Sequence, residues 1–188
     1  MAQVLVGYDA AGSIQSFDRD GDIADGGDKI NEAIFVNFSR LLTKDEIKKG
    51  SFSMTMMTGG TAPLIHSPMV IADHGAANSY KVNSPAGEYG ILYTGSEGAA
   101  GTGVGLVYYQ AGVAIITGSI FSTSSMGAYQ PIGTYNDVAT GSNIQVMADS
   151  YRNRLKDISF NNTVELNSTV YFCRASHNEF NYSNNPTY

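Results

Sequence analysis

Residues 104–117 read VGLVYYQAGVAIIT, two apolar runs on either side of a short turn. Residues 104–109 and 113–117 predict the two strands of a hairpin that turns at residues 110–112. Because both runs are apolar at nearly every position, we expect the hairpin to be buried on both faces. It therefore predicts the centre of a sheet.

Shorter strand patterns surround this hairpin. Phe52, Met54 and Met56 alternate with serine and threonine, which is typical of a half-buried strand. An antiparallel sheet or sandwich of such short strands predicts an α+β fold that is mainly β. The other predicted strands are residues 4–9 and 13–17 as an N-terminal hairpin, then 33–40, 69–72, 88–94 and 169–174, the last of which would bury Cys173.

Two segments carry helical patterns. Thr43 and Glu46 have capping-box spacing and Gly50 follows, which predicts a short helix at about 44–49. Apolar residues recur at three- and four-residue steps further along the chain, with charged residues opposite them. This pattern predicts one amphipathic helix at about 144–158.

The composition favours a protein whose surface is covered by partners. Charged residues make up only 15% of the chain, while 43% of its residues are hydrophobic. An average soluble protein carries roughly 25% charged residues. Surfaces that lie in contacts can do without the charges that keep free monomers apart. We therefore expect a homo-oligomer or a component of a larger assembly.

Charge and hydropathy argue against other partners. The formal net charge is −6, and the basic residues are scattered among acidic ones, which disfavours a nucleic-acid ligand. No secretory signal is visible, and the longest apolar region, residues 104–116, is too short for a bilayer. We expect a protein made in a cytoplasm, with no membrane partner. A single cysteine, Cys173, excludes an intramolecular disulfide.

The acidic run at Asp18, Asp20 and Asp22 supplies the candidate metal ligands. Carboxylates at alternating positions resemble the first half of a calcium loop. However, Ile23 stands where such a loop needs glycine, and Lys29 stands where it needs glutamate. We therefore predict a solvated acidic turn rather than a metal site, and no cofactor.

The histidines suggest two catalytic hypotheses. Asp73 and His74 beside Ser79 could form a hydrolase site, and Cys173 beside His177 could form a thiol-enzyme site. Neither pair lies in a nucleophile elbow or a family signature. We therefore predict no catalytic residue and a protein that is not an enzyme.

The end of the chain is predicted to be an extended arm that carries aromatic side chains. Phe180, Tyr182 and Tyr188 would bury large apolar areas, which a free tail cannot do alone. The arm is predicted to pack on a neighbouring surface, in its own subunit or another. We expect its aromatic residues to be intermolecular anchors, and Pro186 would stiffen the arm. The predicted units are an N-terminal hairpin and acidic loop at 1–30, a main β-rich domain at 31–175 and the arm at 176–188.

Several stretches of this sequence carry a family resemblance: KDEIKKGSF (44–52), VNSPAGEYGILY (82–93), YQAGVAI (109–115), FNNTVELNST (160–169) and NYSNNPTY (181–188). With these stretches, residues 34–188 resemble virion structural proteins of large contractile-tailed bacteriophages. The resemblance implies a tail, baseplate or neck component, located in the virion, that binds other virion structural proteins. It implies no catalytic residue.

A carbohydrate-binding or host-recognition module is the alternative. Tyrosine-rich loops can stack on sugars, and Tyr129, Tyr135 and the loop at 95–103 are the candidates. Calcium at the acidic run would fit this alternative. A glycan array with and without chelator distinguishes it from an assembly protein.

Overall fold

The computed structural model describes residues 1–24, 26–58, 66–95, 103–121, 148, 151–152, 154–164, 166–174 and 185. The strands are β1 (Phe17–Asp18), β2 (Lys29–Ile30), β3 (Ala33–Asn37), β4 (Glu46–Ile47), β5 (Ser53–Thr58), β6 (His66–Ala72), β7 (Tyr89–Leu92), β8 (Gly105–Tyr108), β9 (Val113–Thr117), β10 (Leu155–Ser159) and β11 (Asn162–Thr163). The helices are α1 (Ala2–Leu5), α2 (Arg40–Thr43) and α3 (Ala76–Ser79), with a 3-10 turn at Gly118–Phe121. Within these ranges, no helix has the length and apolarity needed to cross a bilayer.

The predicted central hairpin is confirmed as β8 and β9. It lies in a four-stranded antiparallel sheet of order β3-β9-β8-β7, and every residue of β7, β8 and β9 is buried. Val107 and Ile116 face one hydrophobic cluster, whereas Leu106 and Ile115 face another on the opposite side. The continuous apolar sequence is thus explained by a sheet that is covered on both faces.

A second sheet, of order β10-β5-β6, packs against one face of the first. Met54, Met56 and Ile71 are fully buried, and they share a hydrophobic cluster with Val107 and Ile116 of the first sheet. The antiparallel pairs β1-β2 and β4-β11 add two short ribbons. The fold is α+β and mainly β, as the sequence predicts.

The predicted helix at about 144–158 is wrong at its end. Residues 148, 151, 152 and 154 are helical, but Leu155–Ser159 is β10, which pairs antiparallel with β5. A β-bulge lies between Leu155 and Asp157, and both Leu155 and Ile158 pack on the buried cluster. Because a bulge adds one residue to a strand, it turns a three-residue spacing into a same-face pair.

The predicted helix at 44–49 is also wrong, since the helix lies one turn earlier, at Arg40–Thr43. The Ser39 hydroxyl accepts a hydrogen bond from the backbone N–H of Leu41 and caps the helix. The helix ends at Lys44, whose φ of 54° is left-handed. Ile47 then becomes fully buried in β4.

The predicted N-terminal strand at residues 4–9 is wrong as well. Residues 2–5 form α1, and the pairing of Tyr8 with Ile14 is what the structure retains of the predicted hairpin. Leu5 and Val6 are each 3% exposed and share one hydrophobic cluster. Neighbouring residues of a strand would point to opposite faces, so the helical turn allows both to be buried on the same side.

Candidate functional site

The acidic loop folds around the side chain of Lys29. Asp18 is 1% exposed, and one of its carboxylate oxygens accepts the backbone N–H groups of Asp20 and Gly21 at 2.9 and 3.2 Å. Its other oxygen lies 2.7 Å from Lys29 Nζ. The same ammonium donates to the carbonyl oxygens of Asp22 and Ile23 at 3.3 and 3.0 Å. The Asp18 carboxylate and two backbone carbonyl oxygens of the loop therefore bind the ammonium group of Lys29.

The electrostatics of Asp18 reflect this arrangement. Burial raises the pKa of the Asp18 carboxyl, but hydrogen bonds from Asp20 and Lys29 outweigh it and hold the pKa below its ordinary value of 3.8. Asp20 and Asp22 accept backbone N–H groups two residues further on, at 2.8 and 3.1 Å. In the described part of the chain, no three His, Cys, Asp or Glu residues are grouped as metal ligands.

Replacing Lys29 by methionine is expected to lower the free energy of unfolding by about 3 kcal/mol, because a buried carboxylate loses its cation. A carboxyl with a depressed folded pKa stabilises the fold above pH 3.8, and this contribution is lost as pH falls through the folded pKa. Without the Lys29 ammonium the folded pKa of Asp18 moves up toward or past its ordinary value, so the variant should lose less stability than the original chain as pH falls, and the difference between the two should narrow. Urea unfolding between pH 7 and pH 3 measures both effects.

The control for this prediction is Lys48→Met, which removes a lysine that is exposed. We expect it to change the free energy of unfolding by less than about 0.5 kcal/mol. Equal effects of the two substitutions would contradict the role assigned to Lys29.

Asp73, the centre of the hydrolase hypothesis, is tied into the fold. One of its carboxylate oxygens accepts the backbone N–H of Gly50 and the Tyr109 hydroxyl, at 2.8 and 3.0 Å. The other accepts the backbone N–H of Phe52 at 2.9 Å. His74 is exposed, and the Ser79 hydroxyl donates to the carbonyl oxygen of Gly75. Asp73 therefore connects the start of β5 to the end of β8.

The last described strand, β11, fixes the root of an exposed segment. Phe160 packs edge-on against Phe38, with ring centroids 5.1 Å apart, and also stacks on Phe52. The Asn162 side-chain amide donates to the carbonyl oxygen of Leu42 at 2.6 Å. The chain is therefore well anchored up to Thr163.

Residues 166–174 follow this root, and we call them the apolar arm. They are distinct from the extended arm predicted at 176–188, which, apart from residue 185, lies outside the described ranges. Leu166 is 88% exposed, Val170 71%, Tyr171 83% and Phe172 95%. The strand predicted at 169–174 is wrong, because no described strand pairs with these residues. Cys173 is exposed rather than buried. Threonine, valine and aromatic residues fit a pleated surface, but they form a strand only where a neighbouring edge exists.

The exposure of the apolar arm is itself informative. Scattered exposed hydrophobic residues are normal, but clustered ones mark a binding surface. Burying a side chain such as Phe172 or Leu166 would contribute about 1.5–3 kcal/mol. Burying the apolar arm against a partner would therefore contribute several kcal/mol to the free energy of binding. This makes the arm the best candidate site in the described chain.

A polar depression borders the root of the apolar arm. Val164 and Leu166 lie at its rim, together with Glu88 and Lys49. Lys49 forms an ion pair with Glu88 and lies 4.8 Å from the ring centroid of Tyr80. Burial lowers the pKa of Lys49, but the hydrogen bond to Glu88 and the nearby carboxylates raise it above its ordinary value. These charges satisfy one another within the chain.

Other predicted site residues lie outside the described ranges. This applies to the anchors Phe180, Tyr182, Pro186 and Tyr188, to His177, and to the candidate sugar-stacking residues Tyr129 and Tyr135. What sequence reasoning missed is the exposure of the apolar arm. The signal for it is the apolar run at residues 170–172, whose composition predicts a paired strand.

The apolar arm and the lysine-centred acidic loop are thus the two features whose geometry suggests a role. The apolar arm exposes hydrophobic side chains that a partner could bury, and the acidic loop binds the ammonium group of Lys29. Comparison with known proteins finds no match to this chain among family models, curated proteins or solved structures.

Proposed function

We propose that this protein is a non-enzymatic structural component of a bacteriophage virion, in the tail, baseplate or neck. In this role it assembles by binding other virion subunits and copies of itself. The observation that carries the proposal is the apolar arm, which leaves an anchored β11 with its large side chains exposed. The low share of charged residues and the resemblance of residues 34–188 support it.

The alternative, a carbohydrate-binding or host-recognition module, has less support. Its calcium-dependent form needs a divalent cation at the acidic loop, where the Lys29 ammonium already contacts Asp18. A second cation would meet electrostatic repulsion there. No observation on the described residues favours sugar stacking.

Incorporation into particles tests the proposal. Phage particles are purified from infected cells that supply either the original chain or a Tyr171→Asp, Phe172→Asp variant as the sole copy. Mass spectrometry of the particles should detect the original chain and at least about tenfold less of the variant. The reason is that two charges replace the aromatic side chains that a partner would bury. Ser168→Asp, a charge in the same arm at a polar position, is the matched control.

A truncation after Ala175 tests the predicted anchors Phe180, Tyr182 and Tyr188 separately. We expect it to abolish incorporation while the core remains folded by circular dichroism. Particles that lack the original chain would contradict the proposed function. Undiminished incorporation of the truncated chain would instead contradict the anchoring role of the last residues.

A further inference from the structure

The strand β3 forms an open edge of the four-stranded sheet. It pairs with β9 on one side and with no described strand on the other. The backbone N–H of Phe38 donates to the carbonyl oxygen of Gly112, and that of Gly118 donates to the carbonyl oxygen of Glu32. The backbone N–H and C=O groups of the even-numbered residues between 32 and 38 therefore point toward β9. In an antiparallel ladder the alternate residues point the other way. The backbone N–H and C=O groups of Ala33, Phe35 and Asn37 therefore point away from the sheet.

The side chains of β3 are apolar or uncharged, which suits this edge to pairing with another strand. Ile34 and Val36 are partly buried against one hydrophobic cluster. Phe35, on the opposite face, packs edge-on against Phe17 at 5.7 Å and is 37% exposed. An edge strand without charge or proline readily accepts another strand.

The other described edges are protected. In β6, Pro68 lacks an N–H donor, and Ala72 exchanges hydrogen bonds with Tyr93. In β7, Tyr89 exchanges hydrogen bonds of 2.8 and 3.0 Å with Lys81. In β10, a bulge and the exposed charges of Lys156 and Asp157 interrupt the edge. The strands β1, β2, β4 and β11 contain two residues each. Among the described strands, β3 is therefore the edge best suited to accept a partner.

The apolar arm has the properties of a strand that lacks its partner. Thr169, Val170, Tyr171 and Phe172 belong to the residue types most enriched in strands. As a strand, the arm would place Val170 and Phe172 on one face, with Tyr171 on the other. The five residues 169–173 match the length of β3.

The apolar arm does not pair with β3 of its own chain in the described ranges. Its root nevertheless lies near the end of β3, because Phe160 packs on Phe38, the residue that follows β3. Although the donor strand and the acceptor edge lie in the same chain, no described strand pairs with residues 169–173. Both are therefore available to a second copy.

We propose that the apolar arm of one copy adds as a strand to the β3 edge of a second copy. This inference rests on the proposed function and identifies the partner as the chain itself. The added strand extends the sheet from four strands to five and covers Phe35 and Phe172. Such a contact joins two different surfaces, so it either repeats from copy to copy in a ring or a filament, or is exchanged reciprocally between two copies in a closed dimer.

Disulfide trapping tests this contact, because Cys173 is exposed and is the single cysteine of the chain. The original chain is mixed with Asn37→Cys, Cys173→Ser or with Ala33→Cys, Cys173→Ser under oxidised glutathione. These two positions cover both strand directions. Non-reducing gels and peptide mass spectrometry then measure the mixed disulfide. Lys156→Cys, Cys173→Ser, on the protected edge of β10, is the control.

We expect at least one β3 variant to give about tenfold more mixed disulfide than the β10 control. Phe172→Asp should weaken the self-association measured by light scattering about tenfold or more. Ala10→Asp, which adds a charge at an exposed residue outside both the apolar arm and β3, should change it less than about twofold. Equal yields at β3 and β10 would overturn the inference. So would an exclusively intramolecular disulfide in Asn37→Cys with Cys173 retained, since the arm would then bind its own chain. Particles that contain the chain despite such a result would leave the proposed function standing.

Discussion

Replacing Asp73 by alanine is expected to lower the free energy of unfolding by about 3–5 kcal/mol, because three donors lose their acceptor. The Asp73 carboxylate is 1% exposed and accepts the backbone N–H groups of Gly50 and Phe52 and the hydroxyl of Tyr109. Each buried donor left without a partner costs about 1–3 kcal/mol. Urea unfolding followed by circular dichroism measures the loss.

The matched control is Tyr109→Phe, which removes one of the three hydrogen bonds and keeps the ring. We expect it to cost about 1–2 kcal/mol. If Asp73→Ala costs no more than Tyr109→Phe, the backbone groups of Gly50 and Phe52 find other partners, and the assigned role of Asp73 is wrong.

The pH dependence of stability gives a second test of Asp73. Burial raises the pKa of its carboxyl above 3.8, although its hydrogen bonds act in the opposite direction. A raised folded pKa gives a contribution that is fully present below pH 3.8 and is lost as pH rises through the folded pKa. The Asp73→Ala variant should lack this fall in stability.

The core of the fold could be predicted from sequence because its signal is local. The run at 104–117 combines two apolar segments with a short turn, and the structure contains β8 and β9 at those positions. The alternation of Phe52, Met54 and Met56 likewise predicted β5. In both cases the burial pattern of the residues follows from the strand itself.

The wrong predictions came from contacts that are distant in sequence. The spacing of Leu155 and Ile158 fits a helix, but a bulge and the pairing with β5 place both on one face of a strand. Glu46 and Ile47 pair with β11, more than a hundred residues further along the chain. No local pattern contains that information.

The candidate site shows the same limit. Residues 169–174 have the composition of a strand, and composition cannot say whether an edge is available. At the acidic loop, the sequence placed a lysine where a calcium loop needs an acid. It could not show that Lys29 folds back to within 2.7 Å of Asp18.

Replacing Gly105 by alanine is expected to destabilise the fold by about 3 kcal/mol or more, because the added methyl group meets backbone rather than side chains. A Cβ at Gly105 would overlap the carbonyl oxygen of Ile115 and lie 3.1 Å from the Cα of Ile116, both in β9. A side-chain rotation cannot relieve such an overlap, so β8 and β9 must separate. Because β3 pairs with β9, its edge would shift as well.

Gly26→Ala is the matched control, since a Cβ there meets nothing within 4 Å, and it should change stability by less than about 0.5 kcal/mol. Thermal and urea unfolding of both variants measure the difference, with the soluble yield as readout if Gly105→Ala does not fold. A Gly105→Ala chain as stable as Gly26→Ala would show that β8 and β9 are not packed this closely.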